Sequence, residues 1–405
     1  MKRMILRLLA AVLTIAMVVG CGGATYAKNA ELTGEVEEKD QKTSVSDVGV
    51  EDDSLNFPCK SLILMEAETG AILYKQNCDE ALPPASVTKV MTLLLVMEAL
   101  EAGTIRLDST VTVSANAASM GGSQVFLKEG EQMLLEDLLK SVVIASANDA
   151  AVALAEYLAG SVESFVSKMN EKAEELGMTN SHFENVTGLD DSVQNHLTSA
   201  KDIALMSQAL IRHPKILEYS SIWMDSIRDG AFGLTNTNRL VRFYKGCTGL
   251  KTGSTAKAGF CVSVTAERDG LSLICVVMGA ESRDTRNAIA TQALDWGFAN
   301  YGIYKAAAPA IEPIAVQGGT DGLCDLTYGE FACVLPKGEI ARVTVRVNVP
   351  EQVSAPLKVG DTVGKVEFCV GERVIGECAI TAREDIPKIN FFQIFARVLA
   401  RFALI

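Results

Sequence analysis

Two short apolar runs, Ser61-Leu62-Ile63-Leu64-Met65 and Ala71-Ile72-Leu73-Tyr74, flank Glu68-Thr69-Gly70. Runs of that length with glycine in the connector predict a β-hairpin. Pro83-Pro84 then opens an apolar stretch from residue 86 to about 100, closed by Gly103. Proline at the start and glycine past the end predict a helix. Met91, Leu93, Leu94, Leu95 and Val96 make it apolar almost all round, so it should be buried. Helical periodicity continues at 134–143, 147–159, 162–176 and 198–211.

Strand patterning returns at 259–264 and 272–280 around Arg268-Asp269-Gly270, a hairpin signal, and 285–301 reads as helix. Strands at both ends of a helical block predict an α+β domain, an antiparallel sheet flanked by helices. Beyond residue 306 come β-rich stretches at 331–335, 340–349, 363–370 and 374–382, punctuated by glycine and proline. They predict a second, smaller all-β domain. The last sixteen residues, 390–405, are apolar except for Gln393, Arg397 and Arg401. Those three, spaced i, i+4 and i+8, form one polar stripe on an amphipathic helix. A membrane span takes roughly 20 residues. With Phe391, Phe392, Phe395 and Phe402 the segment suits a helix lying at a membrane surface.

The N-terminus has Lys2 and Arg3 ahead of an apolar run at 4–19, the layout of a secretory signal. Thr25-Tyr26-Ala27 suits cleavage after Ala27, the favoured reading. Val18-Val19-Gly20-Cys21 resembles a lipobox in which Cys21 takes a lipid. Either route puts the mature chain outside the cytoplasm. Residues 28–55 are acidic and polar, a solvated tether. The expected organisation is a signal at 1–27, a linker at 28–55, a main domain at 56–305, the β domain at 306–386 and a terminal helix at 387–405.

The net charge of −13 argues against nucleic acid as a partner. His182, His196 and His213 are scattered and the ten cysteines contain no C-x-x-C, which argues against a metal site. Cys324, Cys333, Cys369 and Cys378 are placed to pair outside the cell or to stay as buried thiols in strands, and the sequence leaves both open.

Three short motifs carry the chemistry: Ser86-Val87-Thr88-Lys89, Ser146-Ala147-Asn148 and Lys251-Thr252-Gly253. A serine hydroxyl is a weak nucleophile and needs a base within hydrogen-bond reach. Residues i and i+3 share a helix face, so Lys89 can serve Ser86. Burial and the charge of Lys251 would depress the Lys89 pKa. Ser146 is placed to relay a proton to the leaving amine, and Asn148 to hold the substrate backbone. Either residue could instead be a helix N-cap. Lys251 and Thr252 suit a terminal carboxylate, Gly253 leaves room for substrate along a strand edge, and the backbone N–H groups of Ser86 and Ser254 would form an oxyanion hole. This chemistry calls for no cofactor.

The ordered trio is that of penicillin-binding proteins and class A β-lactamases. The chain resembles the low-molecular-weight penicillin-binding proteins, the serine D-Ala-D-Ala carboxypeptidases of peptidase family S11. Met65-Glu66-Ala67-Glu68-Thr69-Gly70, Phe183-Glu184-Asn185, Gly188-Leu189-Asp190 with His196, and Ala258-Gly259-Phe260-Cys261 extend the likeness. The resemblance implies a β-lactamase/transpeptidase-like fold and Ser86 as acyl-ester nucleophile, with Lys89 as proton acceptor. It also implies Ser146 in the active site and Lys251 on the substrate. Peptidoglycan stem peptides would be the substrate, β-lactam antibiotics covalent inhibitors, and the membrane surface a partner through the terminal helix. Ser254 stands where the family often has an aromatic residue or histidine, and Ala147 where glycine is common. A class A β-lactamase would show E-x-x-L-N after Ser146, and none is present. The same acyl-enzyme would also serve a D,D-endopeptidase, and a non-catalytic wall-binding protein would keep the same fold.

Overall fold

The structure, a computed structural model, describes residues 55–190, 193–306 and 311–403. The predicted signal, the tether up to residue 54 and Cys21 lie outside the described residues. β1 (Ser61–Glu66) and β2 (Ile72–Gln76) form the first hairpin. They join β3 (Cys247–Thr255), β4 (Gly259–Arg268) and β5 (Leu271–Ala280) in one sheet of order β2-β1-β5-β4-β3. Every neighbouring pair is antiparallel. Asp269 and Gly270 both take positive φ between β4 and β5, as a two-residue hairpin turn of matching twist requires.

Both faces of the sheet are covered, which is why its strands read as unbroken apolar runs. Ile63 and Met65 face one core with Val276 and Met278, while Leu62 and Leu64 face another with Leu273 and Val277. The first core holds α1 (Lys89–Glu101), α2 (Leu135–Ala145), α3 (Asn148–Ala159), α4 (Val162–Glu175) and α5 (Ala200–Ile211). The second holds α6 (Arg283–Asn300), with Ile289, Ala293 and Leu294 against the strands. Every residue of α1 from Lys89 to Met97 is buried.

Two local expectations change. The helix predicted from residue 86 begins at Lys89, because Ala85–Thr88 forms a 3-10 turn that Ala85 enters with φ 48°. Lys251-Thr252-Gly253 lies inside a strand, not before one, because β3 starts at Cys247. The irregular register between Cys247 and Gly249 breaks the alternation that would have announced the strand.

The helix expected to reach residue 301 ends at Asn300. β6 (Tyr301–Ala306) follows and pairs with Phe331–Pro336. Later strands form a four-stranded and a three-stranded sheet around Phe368, which stacks on Phe331 at 4.1 Å. All nine described cysteines are free thiols. Cys378 faces Val366 and Cys369 faces Val374 across the same strand pair, so the two do not meet. α7 (Phe391–Ala403) ends the described chain, with residues 391–400 all exposed. No described helix is long and apolar enough to cross a membrane.

Candidate active site

Ser86 sits in the 3-10 turn and Lys89 one turn on at the head of α1, so the motif spacing becomes a contact. Lys89 Nζ lies 3.0 Å from Ser86 Oγ, 2.6 Å from Asn148 Oδ1 and 2.9 Å from the Thr187 carbonyl. The amine is fully buried. Burial, followed by the charge of Lys251, holds its pKa well below the usual lysine value. A neutral amine has two hydrogens and one lone pair. In its neutral form the amine would give both hydrogens to Asn148 Oδ1 and Thr187 O, which only accept, and leave its lone pair for the Ser86 hydroxyl.

The α2–α3 junction supplies the second motif. Ser146 ends α2 in the left-handed conformation, φ 61°. The helix-cap reading is not what the structure shows, since Ala147 precedes α3 without any side-chain cap. Lys251 Nζ instead donates to Ser146 Oγ at 2.7 Å and to the Thr252 carbonyl at 2.9 Å. The Asn148 amide is turned inward, with Nδ2 donating to Gly121 O at 2.7 Å. Both ends of this amide therefore have partners within the protein, Oδ1 at Lys89 and Nδ2 at Gly121. Asp149, beside it, accepts from the N–H groups of Val125 and Leu127 and fixes the loop that supplies Gly121.

β3 carries the third motif at one end of the sheet. Lys251 is buried, and burial followed by the nearby Arg286 guanidinium lowers its pKa to about 7. Thr252 Oγ1 donates to Thr237 Oγ1 at 2.9 Å. Thr237 is held there because Asn238 Nδ2 donates to Gly249 O and Thr237 N to Ile144 O. A Cβ on Gly253 would lie 2.8 Å from Ser86 N and 2.8 Å from Pro84 O, so only glycine lets the strand approach the Ser86 turn this closely.

Above these groups lies a groove of about 560 Å³ lined by Ser86, Ser146, Thr252, Gly253 and Ser254. Thus all eight residues singled out from the sequence converge, with Lys89, Asn148 and Lys251 buried beneath its floor. The sequence motifs do not include Thr187, Thr237, Arg239, Arg283 or Arg286, the last four of which line the groove. Those arginines put positive charge in the groove lining of a chain whose net charge is −13.

A serine hydroxyl 3.0 Å from a buried lysine amine of depressed pKa, on a groove with arginines in its lining, is an arrangement suited to serine acyl transfer. Residues 48–282 match the peptidase S11 family, D-alanyl-D-alanine carboxypeptidase, and residues 326–388 the C-terminal domain of penicillin-binding protein 5. The D-alanyl-D-alanine carboxypeptidase DacF of Bacillus subtilis is 40% identical over 353 residues, 85% of this chain and 90% of that protein. The structure of penicillin binding protein 5 from Haemophilus influenzae matches with a TM-score of 0.74 at 30% identity, covering 82% of this chain and 99% of that one. Penicillin-Binding Protein D2 from Listeria monocytogenes, in its ampicillin-bound form, matches at 32% identity and TM-score 0.56 over 60% of this chain and 99% of its own. The chain belongs to the S11 family and is a serine-type D-alanyl-D-alanine carboxypeptidase.

Proposed function

We propose that Ser86 Oγ attacks the carbonyl carbon between the two terminal D-alanines of a peptidoglycan stem peptide. Lys89 Nζ takes the hydroxyl proton as the Oγ–C bond forms, and the oxyanion is met by the backbone N–H groups of Ser86 and Ser254. When the C–N bond breaks, the proton that Lys89 took passes through Ser146, which Lys251 orients, to the amine of the departing D-alanine, and Lys89 is neutral again. Water then attacks the acyl-serine as Lys89 accepts its proton; Lys89 returns that proton to Ser86 Oγ as the ester C–O bond breaks, and the shortened peptide leaves with a new terminal carboxyl group. The peptide's terminal carboxylate sits against Lys251 and Thr252, with the arginines of the groove lining adding attraction. An arriving carboxylate favours the charged ammonium and reverses the depression of the Lys251 pKa.

The observation that carries this reading is the pair of carbonyl acceptors on Lys89, which leaves its lone pair facing Ser86. A β-lactam acylates the same hydroxyl, and its strained amide stands in for the D-Ala-D-Ala bond. The test is covalent labelling by a fluorescent penicillin followed by peptide mass analysis. The adduct should map to the Ser86 peptide and vanish in Ser86→Ala with no loss of folding. Labelling that persists in the variant contradicts the assignment.

Residues 1–27 are proposed as an export signal, which puts the site on the outer side of the cell membrane. α7 is proposed to lie in that membrane's surface. Phe391, Phe392, Phe395 and Phe402 are each more than half exposed, and at 1.5 Å per residue the thirteen residues reach about 20 Å, short of the ~30 Å hydrocarbon layer.

A further inference from the structure

One buried polar chain runs from Glu184 and His196 to Thr88 of the first motif and ends at the Ser86 turn. The Glu184 N–H donates to His196 Nδ1 at 3.0 Å, and His196 Nε2 lies 2.7 Å from Thr88 Oγ1. Thr88 Oγ1 donates to the Ala85 carbonyl at 2.9 Å. Directions follow from the acceptors. An occupied Nδ1 lone pair puts the imidazole hydrogen on Nε2, so His196 donates to Thr88, whose own hydrogen is then free for Ala85 O. Thr88 is fully buried and His196 nearly so, and the edge of the Phe183 ring meets the imidazole at 5.7 Å. Desolvation lowers the His196 pKa to about 4, which keeps it in this neutral form.

The Ala85 carbonyl belongs to the peptide unit that carries the Ser86 N–H. In a trans peptide C=O and N–H point in opposite directions within one plane, and Ala85–Ser86 is not among the cis bonds. Fixing the oxygen therefore fixes where the N–H points. The need for a fixing device is visible in Ala85 itself, a non-glycine residue held at φ 48°. Gly188 also packs closely on this oxygen, since a Cβ there would stand 1.8 Å from Ala85 O and 2.7 Å from Thr88 Oγ1. Ser86 lies in the first turn of its element, where backbone donors have no intrahelical acceptor.

We propose that Thr88 and His196 are positioning residues of the oxyanion hole. Through the Ala85 carbonyl they aim the Ser86 N–H at the point where negative charge develops. This rests on the reading of Ser86 N–H as an oxyanion donor. Neither side chain touches substrate, and both act on the barrier and not on substrate affinity.

The experiment compares wild type with Thr88→Val, Thr88→Ser, His196→Phe and the Thr88→Val/His196→Phe double variant in the full chain. It measures kcat and KM on a D-Ala-D-Ala peptide, affinity for a peptide boronic acid that forms a tetrahedral serine adduct, and the melting temperature. Thr88→Val should lower kcat about ten- to hundred-fold, less than outright loss of an oxyanion donor. KM should stay within about two-fold, and boronate affinity should fall in step with kcat. Thr88→Ser, which restores the hydroxyl, should recover most of the rate. The double variant should be no slower than the slower single one, as links in series require. An unchanged kcat with a lowered melting temperature would reduce the chain to a structural role, and a raised KM at unchanged kcat would make it a substrate-placing one. Either result overturns the inference while leaving Ser86 acylation intact. Failure of wild type to acylate at Ser86 would instead strike the underlying mechanism.

Discussion

A Cβ placed on Gly253 would stand 2.8 Å from the amide nitrogen of Ser86 and 2.9 Å from that of Val87. The K-T-G strand and the nucleophile turn are in backbone contact, and the gap between them sets the position of Ser254 N–H against Ser86 N–H. Gly253→Ala should force the two apart. Stopped-flow acylation by a fluorescent penicillin is expected to slow about hundred-fold, the order lost with one oxyanion donor. Acylation at the wild-type rate would mean that the two N–H groups do not act together.

Acid should loosen the fold through His196. Its folded pKa of about 4 lies below the ordinary 6.5, so the unfolded chain binds this proton first. The stability contributed by the neutral ring is fully present above about pH 6.5 and is lost as pH falls toward 4, about 3 kcal/mol across that window. Glu184 and Asp190 oppose the depression and His182 adds to it, both less than burial. Denaturant titrations of wild type and His196→Gln should therefore converge as pH drops from 6.5 to 4. A constant difference between them over that range would contradict the neutral, hydrogen-bonded ring.

Removal of residues 388–405 should release the enzyme from vesicles containing anionic lipid in a flotation assay, with kcat unchanged. Residues 391–400 of α7 are all exposed, and Arg397 donates to the Thr320 carbonyl. Continued flotation of the truncated chain would shift the anchoring role to the N-terminal segment.

Chemistry was legible in the sequence where it resides in side-chain identity at short spacing. Ser86 and Lys89 needed only helix geometry to meet, and Ser146, Asn148, Lys251 and Thr252 sit in motifs of three residues. Thr187 escaped because its contribution is a carbonyl oxygen, which every residue has. Arg286 escaped because it reaches Lys251 from α6, on the far side of the sheet, with no local pattern to tie it there. The role of Asn148 was half hidden for a related reason. A motif shows which residue is present but not which end of its amide faces Lys89. In the fold, the hairpins and long helices were plain from periodicity. The start of β3 was hidden by its irregular register at Gly249, and β6 by its dependence on Phe331–Pro336, some thirty residues later. His196 stood out only through the family resemblance, since a chain of four hydrogen-bonded groups from separate segments leaves no contiguous trace.

The central claim is that Lys89 is an uncharged amine at neutral pH, and an NMR titration of ε-13C-lysine-labelled enzyme reads it directly. The resonance absent from Lys89→Arg should show the neutral-amine shift at pH 8 and become protonated only well below the ordinary lysine value of 10.5. A Lys89 resonance that stays protonated until near pH 10 would contradict the account, because no lone pair would then face Ser86.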